Sequence, residues 1–96
     1  MNELNFLTQL EAVIADRLSA PSEQSYTARL AATGPLGVAQ KLGEEGVETA
    51  LAAVAEDRER LVAESADLLY HLLVLLKLRD VSLGDVVTEL ERRHQK

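Results

Sequence analysis

The stretch KLGEEGVETALAAVAEDRERLVAESADLLYHLLVLL, residues 41–76, decides the fold. It contains two helix-forming runs that meet at Glu56–Asp57. The first reads as a helix from about Leu36 to Glu56. The second reads as a helix from Arg58 to Arg79, with Asp57 as its N-cap residue type. From Leu68 to Leu78 the second run is apolar nearly all round, the pattern of a buried helix. A short turn between two such runs makes them antiparallel neighbours.

The flanks extend the same pattern. Leu4, Leu7, Leu10, Ile14 and Leu18 recur at helical spacing, so residues 3–19 form an amphipathic helix that Pro21 and Ser22 break. Ser25 can cap a short helix, Tyr26–Thr33, which Gly34 and Pro35 end. Ser82 with Asp85 resembles a capping box and opens a last helix that ends near His94. No hairpin turn, persistent two-residue alternation, internal repeat or low-complexity tract is present. The expectation is one all-α domain over residues 1–96, a bundle of about five helices with short connections.

Composition agrees with that expectation and excludes several function classes. Only 3% of residues are aromatic, namely Phe6, Tyr26 and Tyr70, so the core is built from Leu, Val and Ala. A net charge of −6 argues against nucleic-acid binding, which needs basic patches. With no cysteine there is no disulfide framework, thiolate metal site or thiol nucleophile. The first residues lack the basic region of a signal peptide, and the longest run of large apolar residues, Leu72–Leu76, is far too short to span a bilayer. A cytoplasmic location is the default expectation. A chain this short buries only about two-thirds of its unfolded surface. Apolar surface left over, Leu68–Leu78 above all, calls for a partner chain.

The distribution of acids is less ordinary. At about 100° of rotation per residue, Glu44, Glu45 and Glu48 fall within roughly one 100° arc, with Lys41 inside it. Val47, Leu51 and Val54 border one side of this arc, and Val38 and Leu42 the other. Ala39, Gly43, Gly46, Ala50 and Ala53 form a strip that another helix could approach closely. An amphipathic helix needs a wet face, but wet faces usually mix signs, and acids one turn apart repel. On the next helix Glu64, Asp67 and His71 share a stripe that continues into Val74, Leu75 and Leu78. A carboxylate buried alone beside that surface costs several kcal/mol, so it needs a partner. The nearby cations are Lys41, Arg58 and Arg60, too few for five carboxylates. A divalent metal answers the need. Mg²⁺ takes oxygen ligands in an octahedron and keeps positions for water and phosphate. The pattern is EExxE, fifteen residues, then ExxD.

EExxE followed by ExxD resembles the MazG-like all-α nucleotide pyrophosphohydrolases. SYTARL (25–30), KLGEEGVE (41–48), DRERLV (57–62), ESADLLYHLLVLL (64–76) and SLGDVVTELERRH (82–94) resemble one branch, the phosphoribosyl-ATP pyrophosphatases of histidine biosynthesis. The resemblance implies Mg²⁺-dependent hydrolysis of phosphoribosyl-ATP to phosphoribosyl-AMP and pyrophosphate by a small helical homodimer. It also implies a functional link to phosphoribosyl-AMP cyclohydrolase. By carry-over, Glu44, Glu45, Glu48, Glu64 and Asp67 are metal ligands. Metal ions neutralise the phosphates and acidify water, and Glu45 or Glu48 would take the water's proton. Two positions depart from the branch: Gly37 stands where a basic residue is frequent, and Gly46 replaces the usual Ala.

Other residues admit two readings each. Lys41 either offsets the repulsion of Glu44 and Glu45 or meets a substrate phosphate. Arg29, on the face of the short helix that carries Tyr26, is either a surface residue or a phosphate contact, the latter on resemblance. A substrate with two riboses and an adenine needs stacking groups, yet Tyr26 also suits bundle packing. His71 is either a hydrogen-bonded core histidine or an outer partner of Asp67, while Tyr70 points away from the acids, into core or dimer interface. Glu91 and His94 spell ExxH, half of a di-iron pattern that requires two copies. Two rival functions remain: a house-cleaning nucleoside triphosphate pyrophosphatase, and a non-catalytic helical assembly module whose acids are solvated.

Overall fold

The computed structural model describes residues 3–20, 22 and 25–95, and all its regular elements are helices: α1 (Asn5–Ser19), α2 (Tyr26–Ala31), α3 (Gly34–Ala55), α4 (Arg58–Leu78) and α5 (Leu83–Arg93). Three expected caps are present. The Ser25 side chain accepts from the Ala28 N–H, and Asp57 accepts from the Arg60 N–H at 2.9 Å. Ser82 and Asp85 form a reciprocal capping box. Glu11 reaches from α1 to accept the Leu83 N–H at 2.7 Å, which satisfies another of the orphan donors at the start of α5.

Two boundaries differ from the sequence reading. The second helix stops at Ala31, and Gly34–Pro35 opens α3 instead of closing α2. Gly34 has φ of +80°, a reversal that glycine makes cheaply, and Pro35 suits the first turn of the helix that follows. Pro21, the expected breaker after α1, lies outside the described residues. After α4, the Val81 and Asp80 N–H groups return to the Leu76 and Lys77 carbonyls at 2.9 and 3.1 Å, a Schellman closure with Asp80 in the left-handed position.

The antiparallel pair α3–α4 is the spine, and α1 and α2 pack on it. The core is Ile14 of α1, Leu30 of α2, Val38 of α3, and Leu73 and Val74 of α4. Leu7, Leu10, Leu18 and Leu78 pack against it. Within α3 the buried positions are Val38, Glu45 and Ala52, seven residues apart. Seven residues are close to two full turns, so these three form one inward seam. Of the small-residue strip, Ala39, Gly43, Ala50 and Ala53 are exposed, and Gly46 alone is half-buried, with Leu68 of α4 beside it.

The surplus apolar surface also lies elsewhere than expected. Of the large apolar residues in Leu68–Leu78, Leu69 alone is exposed; Leu73 and Val74 are buried and the others are half-buried. The bare stripe is on α3, where Val47, Leu51 and Val54 are 61%, 58% and 86% exposed.

Candidate metal and nucleotide site

Glu45 sits in the middle of the α3 seam, and Glu64 and His71 are buried one heptad apart on α4. The two carboxylates therefore meet inside the bundle. Thr49 sets the register at this level. Its hydroxyl lies 2.8 Å from the Glu45 carbonyl and 3.0 Å from the Glu64 carbonyl, tying α3 to α4 beside both acids. One oxygen from each of Glu45, Glu48 and Glu64 falls within 4.8 Å of the others.

Each buried acid has one cation, four residues earlier on its own helix. Lys41 Nζ is 3.3 Å from Glu45 Oε1, and an Arg60 guanidinium nitrogen is 3.2 Å from Glu64 Oε1. Arg60 also holds Glu56 at 3.4 Å. Because the helices are antiparallel, the two cations approach from opposite ends. The hydrogen bond to Glu45, then its charge, holds the Lys41 ammonium above its ordinary value. The Glu64 carboxyl is also raised, first by its hydrogen bond with Glu48, then by burial and the charges of Glu48 and Glu45, with Arg60 opposing. Glu45 Oε2 is buried with no hydrogen-bond partner. A buried acceptor left unpaired is costly, and this one lies beside two more carboxylates.

The expected ligands separate into three groups. Glu45, Glu48 and Glu64 come together. Glu44 is exposed and stands outside this set. Asp67 is also exposed, not shielded by the apolar stripe as expected; it borders a cleft of about 440 Å³ lined with Tyr26, Lys41, Glu45, Tyr70 and His71. Arg29 is exposed on α2 and is not among the described lining residues. No basic group arises at position 37. A Cβ there would meet Thr33 Oγ1 and lie 2.5 Å from Thr33 Cβ.

His71 touches the backbone of Asp67, not its carboxylate. Its Nδ1 is 2.7 Å from the Asp67 carbonyl, and its Nε2 is 2.8 Å from the Tyr26 hydroxyl. A carbonyl can only accept, so Nδ1 carries the proton and the neutral ring's Nε2 accepts from Tyr26. Thr27 and Tyr70 share a further hydroxyl–hydroxyl contact. Tyr70 therefore belongs to the cleft, although the helical wheel turns it about 100° from His71. Thr49 and Thr27 are the site residues the sequence did not single out; in the sequence Tyr70 reads only as core or dimer interface. A threonine four residues after Glu45 was the available signal for the first; nothing local signalled the second. At the other end of the chain, His94 Nδ1 bonds the Leu90 carbonyl in its own helix, away from these acids.

The donor set fits a hard divalent cation. Adjacent oxygens in an octahedral Mg²⁺ shell stand roughly 3 Å apart, so the three carboxylate oxygens, within 4.8 Å of one another, would draw together around the ion. The unpartnered Glu45 Oε2 is the oxygen a cation would satisfy.

Comparison with known proteins places the chain among relatives. A family model described as phosphoribosyl-ATP pyrophosphohydrolase matches residues 7–94. A phosphoribosyl-ATP pyrophosphatase of Pyrobaculum aerophilum is 61% identical over 85 residues, covering 88% of this chain and 90% of that protein. Histidine biosynthesis bifunctional protein HisIE of Escherichia coli O157:H7 is 57% identical over 94% of this chain, and that of Yersinia pestis 53% over 99%. The chain spans 44% and 47% of those two relatives. The matched region contains every carboxylate of the cluster and every wall of the cleft, and the chain belongs to the phosphoribosyl-ATP pyrophosphohydrolase family.

Proposed function

We propose that this chain hydrolyses phosphoribosyl-ATP to phosphoribosyl-AMP and pyrophosphate, an early step of histidine biosynthesis, with Mg²⁺ as cofactor. The observation that carries the reading is the buried, unpartnered Glu45 Oε2 within reach of Glu48 and Glu64, at the edge of a cleft large enough for part of a nucleotide. Glu45, Glu48 and Glu64 would hold the metal, with Asp67 adjoining from the cleft. Bound Mg²⁺ would neutralise phosphate charge and acidify a water.

The chain's own groups divide the remaining work. Of the two carboxylates considered for proton transfer, Glu48 is open to solvent and Glu45 is buried against Lys41. Glu48 is therefore the better base for an incoming water. Lys41 lines the cleft with its ammonium held charged by Glu45, which suits contact with a phosphate oxygen. Arg29 is assigned to a phosphate beyond the cleft.

The working unit we infer is a homodimer. Val47, Leu51 and Val54 are spaced i, i+4, i+7, so they form one apolar stripe on α3. Leaving three such side chains in water forgoes about 1.5–3 kcal/mol each. A link to phosphoribosyl-AMP cyclohydrolase rests on the proposed product and on the greater length of the bifunctional relatives. No described helix is long and apolar enough to cross a membrane. A cytoplasmic location is inferred from the substrate, whose phosphates keep it on one side of a bilayer.

Turnover of phosphoribosyl-ATP by the purified protein with Mg²⁺, with products identified, tests this reading. Phosphoribosyl-AMP and pyrophosphate in equal amounts are expected. Far faster turnover of ordinary or damaged nucleoside triphosphates would assign the site to nucleotide house-cleaning instead.

A further inference from the structure

The chain has three aromatic residues, and two of them, Tyr26 and Tyr70, line the cleft beside the acidic cluster with His71. The rest of the core is packed from aliphatic side chains. The three rings form a compact group. Tyr26 and Tyr70 have centroids 6.1 Å apart, and His71 meets Tyr26 edge-on at 5.9 Å and Tyr70 at 5.4 Å. Their polar ends are tied into the bundle. The Tyr26 hydroxyl donates to His71, the Asp67 carbonyl fixes that imidazole's tautomer, and Tyr70 meets Thr27. Even so, Tyr26 remains 44% exposed at the cleft. A ring needed only to fill the core would be covered. This one is held in a fixed orientation and left open, a few side chains from Lys41 and Glu45.

We propose that Tyr26 is the residue that reads the nucleoside end of the substrate, its ring forming a wall for the purine while the acids and Lys41 hold the phosphates. Tyr70, His71 and Thr27 are positioning residues that fix the angle of that wall. The proposal rests on the phosphoribosyl-ATP reading above and extends it from the reacting phosphates to the base. Aromatic side chains bind bases through their flat faces with little regard to base edges. Orientation is therefore what the three positioning groups contribute, and a ring immobilised before binding loses less entropy on contact.

The test compares wild type, Tyr26→Leu and Tyr26→Phe. Inorganic tripolyphosphate, which has phosphates and no base, serves as a competitive inhibitor. In Tyr26→Leu the KM for phosphoribosyl-ATP rises about tenfold, kcat changes little, and the inhibition constant of tripolyphosphate stays within twofold. Tyr26→Phe keeps the ring and shows a smaller rise in KM, which keeps the result readable if Tyr26→Leu folds poorly. Equal weakening of tripolyphosphate and phosphoribosyl-ATP, or a fall in kcat at unchanged KM, would overturn the proposal. Wild-type protein that turns over no phosphoribosyl-ATP removes the underlying reading as well, and that outcome is distinct because no variant is needed to see it.

Discussion

Two faces of the α3–α4 pair invert the usual rule of burial. Inside, Glu45 and Glu64 are 4% and 6% exposed. Outside, on α3, Val54 is 86% exposed, with Val47 and Leu51 beside it in the same stripe. A fold that only minimised its own free energy as a single chain would exchange these environments. The inward acids make sense if a cation completes them, and the outward aliphatics make sense if another surface covers them. Each anomaly thus points to something that binds, and the two are independent. Removing acids should affect metal and turnover without changing assembly, while charging the apolar stripe should do the reverse at the level of binding equilibria.

The largest effect is expected at the acids. Glu48→Ala and Glu64→Ala should each lower kcat/KM on the order of 10³-fold, since several kcal/mol of metal-borne charge stabilisation are lost. Calorimetric titration with Mn²⁺ should show strong binding to wild type and none to Glu64→Ala. A silent titration of the wild type, with both variants unchanged in activity, would mean that the cluster is merely a tolerated defect. Thermal melting adds a sharper contrast. Without metal, Glu45→Leu should melt at or above the wild-type temperature, because it removes a buried carboxylate with an unpaired oxygen and leaves Lys41, whose side chain is 40% exposed, to the solvent. The same variant should be inactive.

At the bare stripe, Leu51→Glu should weaken the proposed dimer. A symmetric interface repeats each substitution, so losing one buried aliphatic side chain per subunit costs about 3 kcal/mol, roughly a hundredfold in the dissociation constant. Light scattering across a dilution series measures this shift. A wild-type mass that stays monomeric at every concentration would leave the stripe to some other partner.

The difference between the faces also separates what the sequence disclosed from what it could not. Helical periodicity placed all five helices, and the caps at Asp57 and Ser82 were readable because capping is local chemistry. The spacing of EExxE and ExxD was enough to bring acids from two helices together. Which acids converge was not readable, because Glu44 and Glu45 occupy the same arc and only the direction from which α4 approaches distinguishes them. That direction depends on register, held here by Thr49 between two backbone carbonyls. Tyr70 packs against the core as expected, and it also borders the cleft, which the sequence did not show. Its wheel position is off the acid stripe, and it enters the cleft because α2 brings Thr27 and Tyr26 across it. The bare stripe was expected on α4 from sheer apolarity, yet apolarity does not say which helices cover which.

Two glycines of α3 carry the contrast down to about 1 kcal/mol. At Gly46, next to Glu45, an added Cβ would find only Leu68 Cδ1, at an ordinary 3.9 Å. Gly46→Ala should therefore stabilise by about 0.5–1 kcal/mol through helix propensity alone. At Gly37 the added Cβ collides with Thr33, whose hydroxyl is itself bonded to the Leu30 carbonyl at 2.7 Å. Gly37→Ala should destabilise by about 1 kcal/mol or more, although it is the same substitution in the same helix. Chemical denaturation of both variants checks the opposite signs, and equal signs would mean that Thr33 yields freely.

The last effect is a pH dependence at the buried acids. The Glu64 carboxyl is raised, first by its hydrogen bond with Glu48 and then by burial and neighbouring charge. It therefore holds its proton more tightly folded than unfolded. Its contribution to stability is fully present below the ordinary carboxylate value and is lost as pH rises through its own elevated one. Glu89, lowered by Arg92 and then Arg93, acts in the opposite direction and loses stability on acidification. The informative quantity is thus the difference between wild type and Glu64→Gln in metal-free buffer. From neutral pH down towards the ordinary carboxylate range, wild type should gain stability relative to the variant. Saturating Mg²⁺ should reverse that trend, because a ligating carboxylate must be deprotonated. A difference that grows with pH in the absence of metal would mean that the inward acids are already satisfied by Lys41 and Arg60, and the contrast with the bare apolar face would then lose half its force.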